Sequence, residues 1–309
     1  MRNFESSIVI FSVMLCWASA YVFIKGLPAE LSSFGYLALM NGLASLIMVL
    51  CFFPRLKKLN RYNAIRGSVL GLLMMLVLLF EKEGIERLTP AAASVLASLG
   101  IVVVPFFVLV FYRRFPSQQQ VAAILLILAG ILVTNGVSSD DFPLAGTLFM
   151  LGDCISMSLY TVVANKFCRN SDPVLLAVTQ LLFMAAVAFA FWFAENPRMF
   201  LDLEFTRSFL SSLFMLAIFS KAFAYIMLMY GQRYADPINV VVIFALEPVI
   251  TLLMSVCIPK AMGGVEESFT LQAFLGAVLV VLGAIVSGLD IGAIRRRLHG
   301  IGRLRDETT

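Results

Sequence analysis

Residues 117–133 read SQQQVAAILLILAGILV, and residues 270–286 read TLQAFLGAVLVVLGAIV. The two stretches align without a gap, so that Gln119 falls on Gln272 and Gly130 on Gly283. A second pair lies upstream of them. GIERLTPAAASVL begins at Gly84 and GQRYADPINVVVI at Gly231, with Pro90 and Pro237 at the same spacing. Lys25 and Lys166 close the first apolar stretch of each copy. The chain therefore contains itself twice. The apolar runs are long and continuous, without alternating polarity, which excludes a β-barrel. Backbone groups in lipid must be satisfied within their own segment, so the runs are helices.

The composition of the whole chain agrees. Of 309 residues 61% are hydrophobic and 14% charged, against about 45–50% and about 25% in soluble domains. At about 20 residues per span this supplies nine or ten membrane helices. Ten apolar segments can be marked, at about 6–25, 33–53, 64–84, 90–112, 117–137, 143–166, 174–194, 208–231, 237–258 and 271–290. The fold class is an all-α polytopic membrane protein. Its first repeat is 1–137, its second 138–294, and 295–309 is a basic tail. Five spans per copy is an odd number, so the second copy sits inverted in the membrane. Inverted repeats around a central cavity are a recurrent plan of secondary transporters.

Basic residues set the orientation. One side carries Arg2, then Arg55, Lys57, Lys58, Arg61 and Arg66, then Arg113 and Arg114, Lys166 and Arg169, Arg233, and the tail arginines 295–297, 303 and 305. The alternate loops hold only Lys25, Lys82, Arg87, Arg198, Arg207 and Lys260, and Lys221 alone falls mid-segment. By the positive-inside rule the first side is cytoplasmic, with both termini, and the location is the cell (inner) membrane. The first segment has features of a signal peptide, but its apolar run continues through Ile24 to full spanning length. The basic tail reads as a topology anchor or as a site for anionic lipid. The five cysteines lie in or beside apolar stretches and read as packing residues. A net charge of +4 gives no reason to expect nucleic acid. No metal site and no cofactor are expected.

Charge at mid-membrane is costly and usually faces a cavity or a partner. Asp153, Lys221 and Glu247 lie near segment centres, with Asn41 as a polar fourth. By helical spacing Lys221, Tyr225, Leu228 and Gln232 share one face. That face reads as a cavity wall, its ammonium for a carboxylate or phosphate, or as a structural Lys paired with Asp153 or Glu247. Glu247 precedes Pro248, and Asn239, Glu247, Thr251 and Ser255 share a stripe. Glu247 and Asp153 are candidate proton-coupling groups, or polar contacts between helices. Trp17, Tyr21 and Tyr160 are candidate substrate contacts, or simply packed rings. Pro105 and Pro248 are expected helix bends. Glu81 and Glu83 are expected at the outer rim, as an entrance charge or merely solvated.

Taken in order, these motifs resemble the EamA-type drug/metabolite transporter superfamily. The matching residues are Trp17-Ala18-Ser19-Ala20-Tyr21 ending in Lys25, then Thr89-Pro90-Ala91-Ala92-Ala93 with Ser98-Leu99-Gly100 and Pro105. Leu246-Glu247-Pro248-Val249, Glu267 and the Gly276/Gly283 pattern complete the set. The resemblance implies a multi-pass transporter of small organic solutes, often an exporter of amino acids or related metabolites, without a cofactor. There are departures. Asn41 stands where the family often has Arg, Arg114 aligns with Glu267, and Glu81-Lys82-Glu83 is unusually charged.

The expected function is a secondary transporter, not an enzyme, moving an amino-acid-like or amphipathic solute by alternating access, in the export direction. A nucleotide-sugar or lipid-linked substrate carrier is the alternative within the same superfamily. An integral membrane enzyme is disfavoured, because His299 in the tail is the sole histidine and no nucleophile, base and partner converge. The expected partners are the solute, membrane lipids and protons, in a monomer or homodimer.

Overall fold

The computed structural model describes residues 3–24, 31–88, 90–135, 142–198, 203, 206–247, 249–250 and 271–288. All regular structure among them is helical. In the first repeat α1 is Asn3–Ile24, α2 Ser33–Cys51, α3 the short Phe53–Leu56, and α4 Arg61–Ile85. α5 (Pro90–Ser98) and α6 (Gly100–Tyr112) together make the fourth span, and α7 (Gln118–Asn135) the fifth. In the second repeat α8 is Leu144–Arg169 and α9 Pro173–Glu195. The eighth span is α10 (Arg207–Met215), a π-helical segment (Leu216–Phe223) and α11 (Ala224–Tyr234). α12 (Pro237–Phe244) opens the ninth span and α13 (Leu271–Gly288) is the tenth. Among the described residues six helices are long and apolar enough to cross a membrane, and three shorter ones are also apolar.

Short polar residues start the helices by accepting their free amides. Ser32 accepts from Gly35, Asn60 from Asn63, and Thr206 from Phe209. Two Asp-Pro pairs do the same, Asp172 for Val174 and Asp236 for Ile238, each with proline in the first turn, where its missing N–H costs nothing. The outward faces carry large apolar side chains, among them Leu50, Phe106, Leu125 and Phe193, all more than half exposed. Helices that are apolar outside as well as inside suit lipid.

The packing obeys the repeat. α1 packs on α11 as α4 packs on α8; α2 on the π segment as α4 on α9; α1 on α12 as α6 on α8. α7 and α13 pack on each other, and here the symmetry reaches single atoms. Gln119 Nε2 donates to the carbonyl of Val286 at 2.5 Å, and Gln272 Nε2 to that of Val133 at 2.8 Å. Gly130 meets Gly276 and Val280, while Gly283 meets Ala123 and Ile127, the matching residues. A Cβ on Gly130 would lie 2.7 Å from the Gly276 carbonyl. Only glycine lets the two backbones approach this closely.

Both central spans are interrupted. The fourth breaks at Leu99, between α5 and α6, and the ninth at Ala245–Leu246. By the spacing of Pro90 and Pro237 these are equivalent positions of the two repeats. Pro105 lies inside α6, one and a half turns past the first break. Pro248 and Thr251, Ser255 and Glu267 lie outside the described residues, as do the side chain of Tyr21 and the whole of Lys25.

A candidate substrate site at the broken centre of the bundle

Lys221 lies in the π-helical segment and is 6% exposed. The wide turn has a local consequence. The Ala224 amide donates to the carbonyls of Phe219 and Lys221 and skips Ser220. The Ser220 carbonyl is taken instead by the Trp17 indole N–H, at 3.2 Å. Trp17 stacks on Phe244, centroids 5.2 Å apart, and tilts against Tyr225 at 6.1 Å. α1, the eighth span and the ninth span thus meet on one indole. Single π turns inside helices often mark functional positions.

The Lys221 ammonium stands over the Tyr225 ring, 5.7 Å from its centroid. Tyr225, Leu228 and Gln232, the remainder of the face that spacing assigns to Lys221, are all buried. Four ion pairs occur among the described residues: Arg55–Asp172, Lys82–Glu86, Arg87–Glu83 and Arg114–Asp236. None of them uses Lys221, Asp153 or Glu247. Asp153 is buried on α8, and Glu247 is half-buried just after the break of the ninth span.

Glu81, like Glu83, is half-buried near the C-terminal end of α4. The packing explains this. Phe80 lies against Gly152, and Met150 against Gly84, so the end of α4 is pressed onto the turn of α8 that carries Asp153. Glu83 pairs with Arg87, in the turn just past the end of α4. Periodicity does not flag Glu81, because it ends an apolar run and sits beside two other charges. The centre therefore holds one buried ammonium beside an aromatic wall of Trp17, Tyr225 and Phe244.

Asn41 is fully buried on α2, and neither atom of its carboxamide has a hydrogen-bond partner among the described residues. An unpaired buried polar group costs about 1–3 kcal/mol. Tyr160 is fully buried too, with its hydroxyl 3.2 Å from the Gln180 amide, in the same apolar core as Tyr225, Trp17 and Phe244. No group of three or more metal-ligating side chains occurs among the described residues.

The family can be assigned at this point. Residues 6–136 and 144–289 both match the model of the EamA-like transporter family. The chain belongs to that family. Each match covers one five-span repeat, so the chain is a multi-pass membrane transporter, able to bind a small-molecule substrate and lipid. An uncharacterized transporter of Archaeoglobus fulgidus is 26% identical over 260 residues, 82% of this chain and 89% of the relative. A protein of known crystal structure shares the fold, with a TM-score of 0.75 and 20% identity over 96% of this chain and 99% of that one.

Proposed function

We propose that this EamA-like transporter is a secondary transporter that moves a small organic metabolite by alternating access, with Lys221 as the group that meets it. The observation that carries this reading is an ammonium buried at mid-span without an ion pair among the described residues. A permanent charge there costs several kcal/mol, and a substrate anion is the group that would offset it. Carboxyl groups deep in their spans, Asp153 on α8 and Glu247 in the ninth, suit a solute that also bears an amine, and the aromatic wall suits an apolar part. An amino-acid-like or amphipathic solute has all three. A single deep cation is a poor match for a diphosphate, which disfavours the nucleotide-sugar alternative.

On the same reading Asp153 and Glu247 exchange protons to couple transport, the basic end of the bundle is cytoplasmic, and the direction is export across the cell membrane. The two repeats, 1–137 and 138–294, exchange roles between the two open forms.

The test is flux in reconstituted vesicles. Lys221→Ala is expected to abolish transport while the protein is made and folds normally; unchanged flux would remove Lys221 from the substrate path. Proton coupling predicts that an imposed pH gradient drives uptake against a concentration gradient, and that Asp153→Asn or Glu247→Gln abolishes this response. Flux insensitive to the gradient in the unmutated protein would mean facilitated diffusion.

A further inference from the structure

The two ends of the bundle are held in different ways. At the end that carries the basic loops, polar side chains tie the first repeat to the second. The Tyr112 hydroxyl, at the end of α6, donates to Asn165 Oδ1 on α8 at 2.7 Å. Arg114 pairs with Asp236, at the start of α12. Arg55 donates to the Tyr230 hydroxyl at 3.2 Å and lies 3.9 Å from Asp172. Arg66 donates to the Ser171 hydroxyl at 3.0 Å. At the opposite end, the ion pairs among the described residues, Lys82–Glu86 and Arg87–Glu83, close within the first repeat, between the last turn of α4 and the residues that follow it.

We propose that Tyr112–Asn165, Arg114–Asp236 and Arg55–Asp172 form a lock that closes the substrate path at the basic end and must break in every transport cycle. The inference rests on the transporter reading, but its geometry is independent of the Lys221 site.

Three features fit a lock made to open. First, Asp172 and Asp236 each cap a helix of the second repeat through Oδ1. Their positions are therefore set by their own half, and the arginine of the other half can leave without unravelling either helix. Second, Asn165 is anchored to its own half, since Nδ2 donates to the carbonyls of Gln232 and Ala235 at 2.5 and 2.8 Å. Only its Oδ1 faces the first repeat. Third, the Gln232 carboxamide, one turn before Asp236, is fully buried with neither atom partnered among the described residues. Its desolvation penalty is relieved when water enters, which sets a cost against staying closed. A cavity of about 350 Å³ beside Arg114, lined also by Gln119, Gln120, Asn239 and Ser287, leaves the arginine next to water, so releasing Asp236 strands no buried charge.

The test is one-sided accessibility, which needs no substrate. Leu228 is fully buried on the Lys221 face, between Lys221 and the lock. In vesicles, Leu228→Cys is placed in a background whose five native cysteines are Ser, and a membrane-impermeant maleimide is added from the basic side. Arg114→Gln with Tyr112→Phe is expected to raise the labelling rate roughly three- to tenfold, the ratio for one or two weak polar contacts. Asp236→Asn keeps the capping oxygen and removes only the ion pair, so a smaller rise is expected. A rate unchanged in both variants, with denatured protein labelling fully, would overturn the lock. Loss of flux in Lys221→Ala with normal lock behaviour, or the reverse, separates the two proposals.

Discussion

The α7–α13 pair and the Lys221 cluster are built from the same duplicated sequence and have diverged in opposite ways. In the pair, every contact has its counterpart: Gln119 with Gln272, Gly130 with Gly283, Val133 with Val286. In the cluster, no charge has one. At the spacing set by Gly84 and Gly231, Lys221 matches Met74, an apolar residue buried in the core. Glu247 matches Gly100 by the same rule. The symmetric region has an apolar, close-packed surface that suits a fixed axis. The asymmetric region concentrates charge that packing alone does not require. On the alternating-access proposal, a duplicated scaffold needs the first to stay whole and leaves the second free to specialise.

The comparison can be broken from the scaffold side. Gly130→Leu must push apart backbones already in contact, and overpacking of this kind costs about 1–3 kcal/mol or more. A lower Tm in detergent with flux lost in proportion to folded protein is expected. Normal stability would show that the close approach of α7 and α13 is dispensable. A smaller effect sharpens the symmetry itself. Gln119→Leu and Gln272→Leu each remove the side-chain bond to the facing helix's carbonyl, worth about 1 kcal/mol. Both variants are expected to lower Tm, Gln119→Leu by at least as much because Gln119 is half-buried and Gln272 exposed, with the double variant close to the sum. One variant silent and the other costly would mean that the reciprocal bonds are not equivalent.

Most of the fold is legible in the sequence, because lipid imposes long apolar runs and the alternation of basic loops fixes their order. The start of α9 at Pro173 and the start of α12 at Pro237 lie within one residue of the apolar runs at 174 and 237. The gapless match of residues 117–133 with 270–286 becomes a reciprocal pair of hydrogen bonds. The site is legible only in part. Lys221, Asp153 and Glu247 stand out because charge at mid-span is expensive. The half-burial of Glu81 does not, because it depends on how α4 meets α8 at Gly84 and Gly152, and spacing on one helix carries no such information. The π turn at Leu216–Phe223 has no proline or glycine to announce it, and the indole of Trp17 that completes it comes from a helix some 200 residues away. The lock is hidden for the same reason: Tyr112, Asn165 and Asp172 are ordinary residues at helix ends until three loops are brought together.

If Lys221 meets the solute, ligand-induced stabilisation of the folded protein depends on its ammonium. Purified protein is screened by thermal shift against fractions of a metabolite pool, and the same fraction is then given to Lys221→Ala. A ligand of the folded state at a hundred times its Kd stabilises by about 2.7 kcal/mol. A fraction containing an amphipathic solute with a carboxylate and an amine is expected to raise the Tm of the unmutated protein and leave that of Lys221→Ala unmoved. An equal rise in both would show that the solute binds without Lys221.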